Sequence, residues 1–170
     1  MTAVLALDLS LTATGAALPG GQLVVWKPTT TGDSRLVELD DHVALALHAT
    51  SIDLVVIEDL PTHAHAAGIT GMVQGVIRNR LLRHNIPYAL IAPATLKKYA
   101  TGRGNATKPD MRVELLKRTG IDHRDDNCVD AAWLRLMGID RCTGHAIVPN
   151  ANRIALTKVH WPTITKAAVA

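Results

Sequence analysis

The chain has 170 residues, 48% apolar and 19% charged, with a formal net charge of +3. That length suits one domain with a sizeable core, and the balance excludes a disordered chain. No apolar run approaches ~20 residues, so no membrane span is expected.

The opening Met-Thr-Ala-Val-Leu-Ala-Leu-Asp lacks a basic region and meets an acid at position 8, which predicts no signal peptide. Residues 3–9 form a short apolar run expected to be a central strand carrying Asp8. Thr14-Gly15-Ala16-Ala17-Leu18 and Gln22-Leu23-Val24-Val25-Trp26 flank Pro19-Gly20-Gly21, a hairpin pattern. The first three strands should therefore be an antiparallel meander. From Asp33 to Ser51 the apolar residues fall at helical spacing, with Asp33 or Ser34 as N-cap. Residues 53–58 then predict a buried strand ending in Glu58. An acid on a buried strand needs a partner or a metal.

Residues 64–84 predict a helix with Arg78, Arg80 and Arg83 towards its end. Gly68, Gly71 and Gly75 leave a smooth face suited to close packing, for which a second copy of the chain is one candidate. His63 and His65 are of metal-ligand type, but no third histidine lies near them. Residues 88–91 are a further short strand. One or two helical turns carrying Lys97 and Lys98 follow, then a loop with Gly102, Arg103 and Gly104, and then Lys108. The Gly-x-Gly follows a helix and lacks the third glycine, so a dinucleotide site is rejected. A basic loop that lets phosphate approach the backbone fits better. Residues 110–118 predict an amphipathic helix stopped by Gly120.

The stretch Asp125-Asp126-Asn127-Cys128-Val129-Asp130-Ala131-Ala132-Trp133 opens a buried helix over residues 129–137. Asp126 and Asp130, four apart, share a helix face. Acids there suit a helix dipole, but two like charges at the edge of a core also call for a cation between them. After Gly138 the pattern weakens, and residues 141–170 are expected to be an extension or strap of the domain formed by residues 1–140.

Charge is unevenly spread. Residues 1–77 carry a net −6, residues 78–118 a net +8 and residues 119–170 a net +1. A basic middle beside acidic ends suggests a polyanion bound next to metal-binding carboxylates. Cys128 and Cys142 make neither a disulfide framework nor a zinc spacing, which fits a reducing cytoplasm.

The order strand, hairpin, helix, strand, helix, with acids on strands one and four and on the last helix, is the ribonuclease H-like plan. The residues resemble the RuvC-type Holliday junction resolvases. Asp8 with Thr14-Gly15 is similar to that family's first-strand signature, and Ile57-Glu58 to its second acidic site. Gln74-Gly75-Val76-Ile77 resembles its dimer-helix segment, and Lys97, Gly102, Gly104, Ala106 and Lys108 have the spacing of its basic catalytic loop. Asp130-Ala131-Ala132 resembles the end of its final acidic helix. The likeness covers residues 3–138 and points to a divergent phage or bacterial member. There are two departures. Asn127 stands where the family commonly has an acid three before the last one, with Asp126 the natural replacement and Asp125 the other. No aromatic follows Glu58, so junction-only and broad branched-DNA specificity both stay open.

The resemblance implies an α/β ribonuclease H-like fold, a central mixed sheet of about five strands flanked by helices. It also implies Mg²⁺-dependent endonuclease activity on Holliday junctions and other branched DNA, in a homodimer of the bacterial or infected-host cytoplasm. Asp8, Glu58, Asp126 and Asp130 would hold two Mg²⁺, replaceable by Mn²⁺, with Lys108 and Lys97 neutralising phosphate. Arg78, Arg80, Arg83, Lys98 and Arg103, with Gly102 and Gly104, would contact the DNA backbone. Two other readings are a branched-DNA binding module without catalysis and an actin-like ATP-binding domain. The second needs two such domains, for which the chain is too short.

Overall fold

Strands β1 (Val4–Asp8), β2 (Thr14–Ala17) and β3 (Leu23–Trp26) form an antiparallel meander. After helix α1 (Ser34–Ala49) the chain returns as β4 (Leu54–Glu58), parallel to β1 with Leu7 opposite Ile57. Helix α2 (Ala67–Arg83) leads to β5 (Tyr88–Ile91), which pairs in parallel with β4. The sheet order is β3-β2-β1-β4-β5. This computed structural model describes residues 2–60 and 67–164. His63 and His65 lie outside the described residues. The mixed five-stranded sheet with flanking helices is the ribonuclease H-like fold that the sequence predicts.

Alternation along the strands sends side chains to two separate cores. Leu5, Leu7, Val55 and Ile57 pack under α1 and α2 with Leu39, Val43, Val73, Ile77 and Leu81. Val4, Ala6, Leu54 and Val56 pack on the other face under α3 (Pro93–Thr101), α4 (Lys108–Thr119) and α5 (Asp126–Thr143). Asp8 and Glu58 continue the second set, so both carboxylates belong to the face that α5 covers.

One expectation changes. Gly138 does not end the last helix. A Cβ there would lie 2.8 Å from Val56 Cγ2 and 2.9 Å from Val4 Cγ1, so the missing side chain lets α5 lie directly on the sheet and run on to Thr143. After α5, helix α6 (Asn150–Arg153) and a 3-10 helix (Ile154–Lys158) follow, with Val148 and Ala155 buried and Trp161 and Ile164 packed on the same core. Among the described residues, no helix is long and apolar enough to cross a membrane.

Candidate active site

Asp8 ends β1 and Glu58 ends β4, each one step beyond the paired Leu7 and Ile57, which sets the two acids side by side at the strands' C-terminal ends. Asp130 arrives from α5, one turn inside its first turn. Carboxylate oxygens of Asp8, Glu58 and Asp130 all lie within 4.8 Å of one another. Helix α5 reaches this position because its first turn rests on β2 at Gly15. A Cβ on Gly15 would be 2.2 Å from the Asn127 carbonyl oxygen, a contact only glycine permits. Asn127 Nδ2 donates to the Ala13 carbonyl at 2.9 Å, tying the helix start to the β1–β2 turn. Thr14, fully buried, closes that turn by donating to the Ser10 carbonyl at 2.9 Å.

Three acids at the helix start thus have three jobs. Asp125 is the N-cap, accepting from the Asn127 and Cys128 amides at 3.0 and 3.3 Å. Asp126, expected as a fourth ligand, lies outside the three-carboxylate group. Its side chain is 45% exposed and meets Lys108 Nζ at 3.2 Å. Only Asp130 joins the acids on the strands.

Electrostatics mark the group as strained without a cation. Burial pushes the Asp8 carboxyl up to about 6, opposed by a shared hydrogen bond with Glu58 and by Lys108. Glu58 rises to about 9, first through burial and then through the charges of Asp8 and Asp130. Burial again leads at Asp130, which rises to about 7 with Asp8 adding and Lys108 and Lys97 opposing. Lys108 loses some charge preference to desolvation, but the Asp126 hydrogen bond and the nearby acids more than restore it and hold its pKa above the ordinary value. Three hard oxygen donors on three elements fit a divalent cation such as Mg²⁺. Lys97 and Lys108 supply positive charge on the same side.

The remaining basic residues divide between the faces. Lys98 and Arg103 are exposed around the end of α3, and Arg103 pairs with Asp110 at 3.2 Å. Arg78, Arg80 and Arg83 sit on α2, across the sheet. Arg80 is held by Asp40 of α1, Arg78 donates to the Tyr88 hydroxyl at 3.2 Å and lies over its ring, and Arg83 bonds Asn79 at 3.3 Å. The structure does not bring these three to the carboxylates. Gly102 and Gly104 serve the loop itself. Gly102 caps α3 in the left-handed region at φ 82°, and Gly104 passes close to the Ala94 carbonyl, where a Cβ would be 3.2 Å from its oxygen. One contributor escaped the sequence reading. Gln74, only 2% exposed, donates from Nε2 to the Glu58 carbonyl at 3.1 Å and anchors the end of β4. A polar side chain on the inward stripe of α2 was its signal.

A ribonuclease H-like sheet bearing three clustered carboxylates, two on the ends of neighbouring strands and one on the covering helix, defines the class. No protein-family model matches the chain. Over 80 residues it is 34% identical to the crossover junction endodeoxyribonuclease RuvC of Sorangium cellulosum, a stretch that is 46% of this chain and 45% of that protein. The match thus spans about half of the relative's length. Thermus thermophilus RuvC in complex with a Holliday junction substrate has a TM-score of 0.66 at 19% identity, over 79% of this chain and 91% of that one. Another Thermus thermophilus RuvC structure gives 0.65 at 18% identity, over 84% and 97%. The fold is therefore that of RuvC, and sequence similarity to a RuvC extends over about half the chain.

Proposed function

We propose that this chain is a metal-dependent, structure-selective endonuclease that hydrolyses phosphodiester bonds in Holliday junctions and other branched DNA. The observation that carries the reading is the clustering of the Asp8, Glu58 and Asp130 carboxylates within 4.8 Å of one another at a place where burial disfavours their charged forms, a cost that a divalent cation would offset. These three carboxylates would hold two Mg²⁺, or Mn²⁺ in their place. A bound cation there would supply a water of lowered pKa and neutralise charge on the phosphate.

The chain's own residues do the rest. Asp8, Glu58 and Asp130 would each bind a cation in the deprotonated form, so burial that raises their pKa, most of all that of Glu58, also makes binding proton-linked. Lys108, 59% exposed and paired among the described residues with Asp126, would exchange that carboxylate for a phosphate oxygen. Lys97 adds charge from α3, and Lys98 and Arg103 contact backbone without reading sequence. A four-way junction needs two symmetric cuts, which suits a homodimer. The exposed Ile69 and Met72 with the open Gly68 and Gly75 on α2 are proposed as its contact.

The test is a cleavage panel of four-way junction, fork, 5′ flap, single strand and duplex with Mg²⁺, Mn²⁺ or EDTA. Paired nicks in the junction, lost in EDTA and in Asp8→Asn, are expected. Cutting that survives Asp8→Asn would end the two-metal reading, and ATP hydrolysis without nuclease activity would favour an actin-like domain instead.

A further inference from the structure

The segment after α5 is fastened to the helix that launches the basic loop. Asn152, 8% exposed, donates from Nδ2 to the Tyr99 carbonyl at 3.0 Å. That carbonyl belongs to the last turn of α3, where helix carbonyls lack an intrahelical partner. Neighbouring groups are otherwise engaged: the Gly102 amide bonds the Lys98 carbonyl at 2.9 Å, and the Arg103 amide bonds Thr101 Oγ1 at 3.1 Å. The other end of the Asn152 amide abuts Gly102, where a Cβ would lie 3.2 Å from Oδ1. Asn152 therefore caps α3 at the point where the chain turns into the loop over residues 102–107.

A second layer fixes Asn152 itself. Arg153 Nη2 donates to Asp140 Oδ1 at 2.7 Å and its Nε to Oδ2 at 3.1 Å, while the Tyr99 hydroxyl donates to Oδ2 at 3.1 Å. Asp140 is 1% exposed, and a buried carboxylate with these partners has no equivalent alternative arrangement. Arg118 of α4 adds a bond to the Ile147 carbonyl at 3.3 Å. The tail is thus bonded to α3, α4 and α5 together, and the loop that ends in Lys108 spans two of them.

We propose that the segment over residues 147–158 is a positioning element for the basic loop. Asn152 and Arg153 fix the exit of α3 and so set where Lys108 stands relative to Asp8 and Asp130. Neither residue touches the reacting groups. The purpose given to Lys108 rests on the nuclease reading, whereas the loop's order does not.

The experiment compares wild type, Asn152→Ala, Asn152→Asp, which keeps the shape but removes the donor, and Thr157→Ala as a control in the same segment. Amide exchange over residues 102–107 is measured without DNA, Mn²⁺ binding by titration, junction affinity without Mg²⁺ across a range of salt concentrations, and kcat and KM on a four-way junction with Mg²⁺. Loss of one buried hydrogen bond should raise exchange in the loop about 5- to 10-fold while exchange in β1 and β4 stays at the wild-type rate. Junction affinity should fall about tenfold and lose part of its salt dependence, Mn²⁺ affinity should not move, and Thr157→Ala should behave as wild type. Faster loop exchange with unchanged junction affinity would overturn the proposal, as would unchanged exchange in both Asn152 variants. If Asn152→Ala loosens the whole fold, Asn152→Asp decides by the same readouts. A wild-type chain that cuts no DNA refutes the nuclease reading alone, and loop exchange with the salt dependence of DNA binding still decides this one.

Discussion

Raising the pH should destabilise the metal-free protein, and the carboxylate group sets how much. In the unfolded chain these acids titrate near 4, whereas in the fold Asp8 and Asp130 are pushed up to about 6 and about 7. Above pH 4 the folded state therefore holds more protons than the unfolded one, so stability falls as pH rises through the folded values. For Asp130 the two pH units between pH 5 and about 7 come to ~2.7 kcal/mol at ~1.4 kcal/mol each. Partial solvent access trims the figure towards ~2 kcal/mol. The variant Asp130→Asn isolates it. Urea unfolding followed by tryptophan fluorescence in EDTA should show the variant gaining ~2 kcal/mol on wild type between pH 5 and pH 8. Added Mn²⁺ should restore wild type at pH 8, by ~2.7 kcal/mol at a hundredfold excess over its dissociation constant. It should do far less for the variant. A difference between the two proteins that is flat across that pH range, or an equal response to Mn²⁺, would refute the account of the site as a repelling group awaiting a cation.

Other consequences are simpler to read. Lys108→Ala should cost less than ~1 kcal/mol in unfolding free energy, since its partnership with Asp126 is exposed. Junction cleavage should nonetheless drop on the order of a hundredfold, with a shallower salt dependence of binding. Gly15→Ala puts a methyl 2.2 Å from the Asn127 carbonyl oxygen and should lower the urea midpoint by an amount equivalent to roughly 3 kcal/mol. In Gln74→Leu the Glu58 carbonyl loses its donor. Stability should fall by only ~1 kcal/mol, while Mn²⁺ affinity falls with it, a linkage that an ordinary core substitution would not produce.

The strands and the acids on them were legible because short apolar runs bounded by turn residues allow little else, and a carboxylate ending such a run is out of place. What the sequence could not supply was partnership at long range. Arg80 looks available for phosphate until Asp40 occupies it. Asn127 looks like a lost acid until its amide is seen holding Ala13. Gly138 has the appearance of a helix stop, but α5 needs it to approach Val4 and Val56. The clearest case is the start of α5. Asp126 and Asp130 share a face, which was the basis for grouping them. Residues four apart on a helix can still ligate one ion, so spacing alone does not separate the two; Asp130 lies with the strand acids, whereas Asp126 turns to Lys108 Nζ at 3.2 Å. The same helix that delivers Asp130 to Asp8 and Glu58 leaves Asp126 a turn nearer to solvent. There it forms an ion pair with Lys108. Periodicity fixes which way a side chain points, but the charged groups that neighbouring elements bring up decide what it meets.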